Sequence, residues 1–287
     1  MKKYFSLVLF AHSIFALPFA LIGFFLGVTT TANPFNWLLF VLVILCMVFA
    51  RNAAMAFNRY LDRNIDAKNP RTVTRDIPAG KISASEALTF VIVNCVLFVV
   101  ATYFINPLCF YLSPIALFVV LFYSYTKRFT ALCHLVLGLG LALAPIGAYI
   151  AVTGVFNIVP LFYSFAVLFW VSGFDIIYAL QDENFDREQK LHSIPAALGI
   201  KNALRLSVVL HILSALCVIL PLFFTQFSWV YYIGVAFFCA MLIYQHLLVK
   251  PNDISKVDKA FATTNGYASV IFAACFLIDT FLRAGLK

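Results

Sequence analysis

The sequence predicts an all-α, polytopic membrane protein with about nine transmembrane helices. Three observations carry that expectation. Of 287 residues, 63% are hydrophobic and only 11% are charged, against roughly 25% charged in soluble domains. Apolar runs of about 20 residues, the length that crosses ~30 Å of hydrocarbon, recur from end to end. The charges that do occur are confined to alternate linkers.

The runs lie near residues 7–28, 37–57, 87–105, 108–124, 131–152, 158–180, 206–224, 229–249 and 264–282. The first follows Lys2 and Lys3. It is too long for the apolar core of a signal peptide and has no convincing cleavage site, so it reads as a retained helix. The second leads directly into a cluster of Asn, Arg and Asp. The third and fourth are separated by little more than Asn106 and Pro107, a tight turn. The sixth leads into a second acidic cluster, and the ninth carries Asp279, expected at a membrane interface. Barrel strands are shorter than these runs, and a helix satisfies its own backbone polar groups in lipid. We read residues 1–287 as a single transmembrane domain.

The linkers near 29–36, 106–107, 153–157 and 225–228 contain no Lys, Arg, Asp or Glu. The others hold Arg59, Arg63, Lys68, Arg71, Arg75 and Lys81, then Lys127 and Arg128, then Arg187, Lys190, Lys201 and Arg205, then Lys250, Lys256 and Lys259. The positive-inside rule puts those linkers and the N-terminus in the cytoplasm and the C-terminus outside. The same distribution explains the net charge of +8, which therefore does not indicate a nucleic-acid partner. Seven cysteines without a CxxC pair read as buried free thiols rather than a disulfide or zinc framework. His12, His134, His192, His211 and His246 fall in unrelated contexts and suggest no haem or metal ligation. The 32 phenylalanines read chiefly as lipid-facing bulk.

Candidate chemistry gathers in two places. After the second run the chain reads NRYLDRNIDAKNPRT, with Asn58, Asp62 and Asp66 four residues apart. Residues at that spacing share a helix face. After the sixth run, DIIYALQDENFDREQK repeats the spacing with Tyr178, Asp182 and Asp186, preceded by Asp175. Each cluster then reaches an Ile-Pro-Ala, at Ile77-Pro78-Ala79 and Ile194-Pro195-Ala196. The echo suggests two related halves facing one cytoplasmic cavity. Like charges four apart on a helix repel, and a hard divalent cation removes that penalty. One or two carboxylates, with phosphates and waters, suit Mg²⁺. The basic residues nearby supply donors for further phosphate oxygens. The pattern is that of a pocket for a Mg²⁺-bound diphosphate. Arg51 lies seven residues before Asn58, inside the span. Charge there is costly, so Arg51 should face the cavity and bind a substrate carboxylate, or else pair with Asp175 at a comparable depth.

These residues resemble the UbiA family of membrane prenyltransferases, over most of the chain. The likeness rests on HSIFALPFALIG in the first span, RNAAMAFNRYLDRNIDAKNPRT with IPAG after the second, YSYTKR after the fourth, and DIIYALQDENFD with HSIPAALG after the sixth. Within the family the chain is most similar to the 4-hydroxybenzoate polyprenyltransferase branch, which includes enzymes of the futalosine route to menaquinone acting on a dihydroxynaphthoate. The resemblance implies a helix bundle around a central cavity open sideways to lipid. It implies that Asp62, Asp66, Asp182 and Asp186 carry the Mg²⁺-diphosphate and that Asn58 helps position it. Lys127 and one of Tyr123 and Tyr125 would contact the diphosphate, and Arg51 would hold the aromatic acceptor. Leu9 stands where relatives often have a basic residue.

The reaction implied is transfer of a polyprenyl group from a polyprenyl diphosphate to a ring carbon of an aromatic acid in quinone biosynthesis, in the cytoplasmic (inner) membrane. Asp175 is then the candidate for orienting the acceptor or removing its proton. The alternatives are prenylation of 1,4-dihydroxy-6-naphthoate or of a non-carboxylated acceptor, haem farnesylation and, from another class, a membrane transporter. Against the transporter, the polar residues collect at one membrane face. The sequence specifies partners only as these substrates and membrane lipid, with no oligomeric state.

Overall fold

The computed structural model describes residues 15–31 and 35–285. The chain forms α1 (Leu17–Thr31), α2 (Trp37–Asp66), α3 (Ala84–Tyr103), α4 (Pro107–Thr126), α5 (Cys133–Thr153), α6 (Ile158–Ala179), the short α7 (Glu183–Glu188), α8 (Ile194–Ile219), α9 (Trp229–Leu248) and α10 (Asn265–Gly285). Among the described residues there is no β-strand, and eight helical stretches are long and apolar enough to cross a membrane. With the shorter apolar α1 they account for the nine expected spans. Residues 7–14 of the expected first span, with His12 and Leu9, lie outside the described residues.

The chain's turns explain where these helices begin. Asn36, Asn106, Asn157 and Ser228 cap the helices that start from the uncharged linkers, and each side chain accepts a hydrogen bond from a backbone N–H two or three residues on. Asn106 also donates to the carbonyls of Ile150 and Ala151 on α5, at 2.9 and 3.2 Å. At the charged end Ser83 and Glu86 form a reciprocal capping box on α3. Ser193 caps α8.

Close packing then uses small residues, as expected where lipid offers no hydrophobic drive between helices. A Cβ added at Gly23 on α1 would lie 2.0 Å from the carbonyl oxygen of Pro145 on α5. One at Gly138 on α5 would lie 2.4 Å from the carbonyl oxygen of Leu168 on α6. Ser172, Ser207 and Ser214 donate to carbonyls of neighbouring helices. The main apolar core joins α1, α6, α9 and α10 around Phe19, Trp170, Phe238 and Phe272. The phenylalanines thus do both jobs: these line the core, while others such as Phe118 and Phe281 are exposed on the apolar exterior.

The structure corrects several element boundaries. Helix α2 runs past the end of the apolar stretch near residue 57 and carries Asn58, Asp62 and Asp66 on it, as their four-residue spacing predicts, with both carboxylates buried against protein. The second acidic cluster does not lie on one continuous helix. Helix α6 ends at Ala179, residues Leu180–Asp182 form a 3₁₀ turn, and Asp186 sits on α7. The seventh span begins at Ile194, not near 206, with a kink at Gly199 (φ 73°, ψ 160°). Both Ile-Pro-Ala segments are followed by a glycine with positive φ, Gly80 (φ 71°) in the loop before α3 and Gly199 inside the first turns of α8. Asp279 is completely buried. It accepts the Ser228 N–H (2.5 Å) and pairs with Arg283 (2.7 Å), so protein rather than interfacial water covers it.

Candidate active site

Both acidic clusters come to the same end of the bundle, and nearly every carboxylate there is matched to a cation. Asp62 is buried near the end of α2. Its two oxygens take Lys127 Nζ (2.5 Å) and Arg128 Nη2 (2.9 Å) from the C-terminal end of α4 and the residues that follow it. Asn58, one turn earlier, donates to Asp62 Oδ2 at 3.1 Å. Asp66 takes Arg75 Nη1 at 2.6 Å, while its other oxygen is buried with no hydrogen-bond partner.

The loop after α2 reaches across to the second cluster. Asn69 Nδ2 donates to Asp182 Oδ1 at 3.0 Å, and Arg71 pairs with both Asp182 oxygens. Arg71 Nη1 also donates to the Tyr178 hydroxyl at 2.8 Å, with its guanidinium over the Tyr178 ring. Phe261 stacks on that ring, centroids 4.2 Å apart. Burial works against the Arg71 charge, but its contacts with Asp182 and Tyr178 outweigh that and hold its pKa above the ordinary arginine value. Asp186 lies within electrostatic reach of Asp182 and Lys127.

Below this layer is an apolar cavity of about 360 Å³, walled mainly by α2, α4 and α5. Its lining runs from Arg51, Met55 and Tyr123 at the charged end to Ile150 and Phe156 at the other. Arg51 enters the cavity as expected. It makes no pair with Asp175, and its Nε is buried without a partner. Tyr123 lies one turn from Lys127 and within electrostatic reach of Asp62, Arg59 and Asp175, so it stands where the cavity meets the acids. Tyr125, two residues further along α4, is 43% exposed, with its ring near Phe57 and beneath the guanidinium of Arg128.

Asp175 is held by His134, whose Nδ1 lies 2.7 Å from Asp175 Oδ2. The Ile194 N–H donates to His134 Nε2 at 3.3 Å. With Nε2 accepting, the ring proton on Nδ1 points toward Asp175. His134 is thus tied to the second acidic cluster, while His12 lies outside the described residues. His211 Nδ1 and His246 Nε2 also approach to 2.9 Å, between α8 and α9. Neither pairing has a signal in the sequence, since the partners are 41 and 35 residues apart.

Whether a divalent cation suits the acids is decided by the donor set. Among the described residues no three His, Cys, Asp or Glu side chains converge, so the protein alone builds no closed metal cage. The unmet Asp66 oxygen and the single carboxylates of Asp62 and Asp182 are hard donors of the kind Mg²⁺ uses one or two at a time, with phosphates and water completing its shell. The residues fit that ion in a shared, substrate-completed site.

Residues 16–274 match the UbiA prenyltransferase family. The chain belongs to that family. Two curated relatives are named 4-hydroxybenzoate octaprenyltransferase. The one from Aliivibrio fischeri is 32% identical over 83% of each chain, and the one from Nitrosospira multiformis is 31% identical over 84% of this chain and 82% of its own. Among solved structures, the apo UbiA homolog from Aeropyrum pernix K1 is 30% identical, with a TM-score of 0.83 over 93% of this chain and 98% of its own. A UbiA homolog from Archaeoglobus fulgidus, solved bound to DMAPP and Mg²⁺, shares the fold at 20% identity, with a TM-score of 0.77 over 98% of this chain and 99% of that one. This UbiA-family chain is accordingly an integral membrane protein and an enzyme of the prenyltransferase class.

Proposed function

We propose that this enzyme transfers a polyprenyl group from a polyprenyl diphosphate to a ring carbon of 4-hydroxybenzoate or a similar aromatic acid, for quinone biosynthesis. The observation that carries the reading is the join between a charged layer and an apolar cavity. Matched carboxylates and cations lie just beyond the Arg51 and Tyr123 end of that cavity, Lys127 and Arg128 about one turn past Tyr123 and Asp62 about three turns past Arg51. A diphosphate with a long hydrocarbon tail has that division of character. The names of the curated relatives support the aromatic acceptor. The distribution of Lys and Arg supports a cytoplasmic-membrane protein with the Asp clusters on the cytoplasmic side.

The site works by exchange of partners. Arg71, Arg75, Lys127 and Arg128 hold the carboxylates of Asp182, Asp66 and Asp62 in the free protein. A bound diphosphate takes those donors over. Asp62, Asp66, Asp182 and Asp186 would hold Mg²⁺, which would supply positive charge for the leaving group. As the allylic C–O bond breaks, its electron pair goes to the diphosphate, where the fixed donors meet the developing charge. The cavity keeps water from the allylic cation. Arg51 holds the acceptor carboxylate, the ring carbon ortho to the hydroxyl forms the new C–C bond, and the ring proton leaves to a base. Asp175, fixed by His134, is the candidate base.

The test uses membranes containing the protein, Mg²⁺ and a long-chain polyprenyl diphosphate, with 4-hydroxybenzoate and 1,4-dihydroxy-6-naphthoate offered in parallel. A prenylated product abolished by EDTA is expected. Diphosphate release without product from either acid would discard the acceptor and keep the donor.

A further inference from the structure

We propose that Arg59 is a further substrate-binding residue of this site, a direct contact for the donor's diphosphate. The inference rests on the proposed function. Arg59 lies on α2, three residues before Asp62 and four after the cavity-lining Met55. Its side chain is largely covered, and Nη1 is buried with no hydrogen-bond partner. The neighbouring cations Arg71, Arg75, Lys127 and Arg128 each touch a carboxylate. Arg59 has no such ion pair. A buried guanidinium with an unmatched donor is unfavourable, and an arriving anion relieves that cost.

Two such arginines point inward from α2, Arg51 through Nε and Arg59 through Nη1. Eight residues of helix separate them, about 12 Å along the axis. That spacing suits two anions rather than one. Arg51 sits among cavity walls made mostly of apolar side chains, where an aromatic acid fits. Arg59 lies within electrostatic reach of Arg75, Asp66, Tyr123 and Tyr178, where the cavity meets the acid layer, and is thereby placed for the diphosphate. The planar fork of arginine matches phosphate oxygens better than a lysine point charge does. Arg59 thereby meets charge that grows on the leaving group.

The test is calorimetric titration of inorganic diphosphate, with Mg²⁺, into the full chain in detergent. Wild type, Arg59→Gln, Arg59→Lys and Arg63→Gln are compared, each with its thermal unfolding. Arg63 is the control, since the carbonyl and ring of Tyr60 already occupy its guanidinium. Arg59→Gln should weaken diphosphate binding about 10- to 100-fold, the loss of one hydrogen bond to a charged group. Arg59→Lys should fall between, and Arg63→Gln should match wild type. Binding of 4-hydroxybenzoate by Arg59→Gln should stay within about twofold of wild type. Ligand-free Arg59→Gln should melt no lower than wild type, because an unmatched charge has been removed. Unchanged diphosphate binding by Arg59→Gln overturns the proposal. So does weaker 4-hydroxybenzoate binding in its place, which assigns Arg59 to the acceptor, or a lower melting temperature with normal binding, which assigns it to structure. If wild type binds no Mg²⁺-diphosphate, the donor reading itself fails.

Discussion

Asp62 is held by two cations and an asparagine. Its removal therefore has two separable consequences. Asp62→Asn leaves Lys127 and Arg128 without their counter-charge, at a cost of about 1–3 kcal/mol. It also removes a carboxylate from the diphosphate site, and turnover should fall at least about 100-fold. Folding monitored by size exclusion and turnover by product mass spectrometry read the two apart, and near-normal turnover in a folded variant contradicts the role. Arg51→Ala should raise KM for the acid acceptor more than for the prenyl donor; equal effects on both indicate a structural arginine instead. Tyr123→Phe should slow transfer, while Tyr125→Phe, on the outward face, should leave steady-state rates within about twofold of wild type. The two acid clusters were legible from spacing alone, as was Arg51 from its cost in a span. The sequence left Tyr123 and Tyr125 open, and the rotation of α4 puts Tyr123 on the cavity and leaves Tyr125 partly exposed. The His134–Asp175 pair joins two helices and left no periodic trace in the chain.

At the scale of the helix, length and hydropathy predicted the spans well, and their ends poorly. A run of apolar residues stops where polar residues begin, but α2 continues through them because its carboxylates are satisfied by Lys127, Arg128 and Arg75. The second cluster breaks into a 3₁₀ turn and a short helix, a departure that four-residue spacing could not reveal. Helix contacts were also invisible in composition. Gly23 and Gly138 look like permissive residues in the sequence, yet each is the point at which one helix meets the backbone of another. Gly23→Ala should force α1 from Pro145 and destabilise the protein by about 1–3 kcal/mol, read as a lower thermal midpoint in detergent. An unchanged midpoint would mean the α1–α5 contact carries no stability.

For the whole molecule, the sequence divides charge from hydrocarbon and the fold keeps that division. The described helices that start from the uncharged linkers carry Asn and Ser caps, and apart from the Asp279–Arg283 pair beside Ser228 most acids, arginines and lysines gather at the other end. Between them the cavity offers a long apolar path to a charged layer. The twofold echo of the motifs anticipated that both clusters lie at one end of the bundle. The loop after α2, which ties Asn69 and Arg71 to Asp182, is the physical link between them and has no counterpart in the motif spacing. The most direct test of the account is Mg²⁺-dependent prenyl transfer by this protein in membranes, followed by lipid extraction and mass spectrometry. The account predicts a polyprenylated aromatic acid that forms with Mg²⁺ and disappears with EDTA or with Asp182→Asn. A protein that is folded and inserted, yet releases no diphosphate from a polyprenyl donor with any aromatic acceptor, would contradict it.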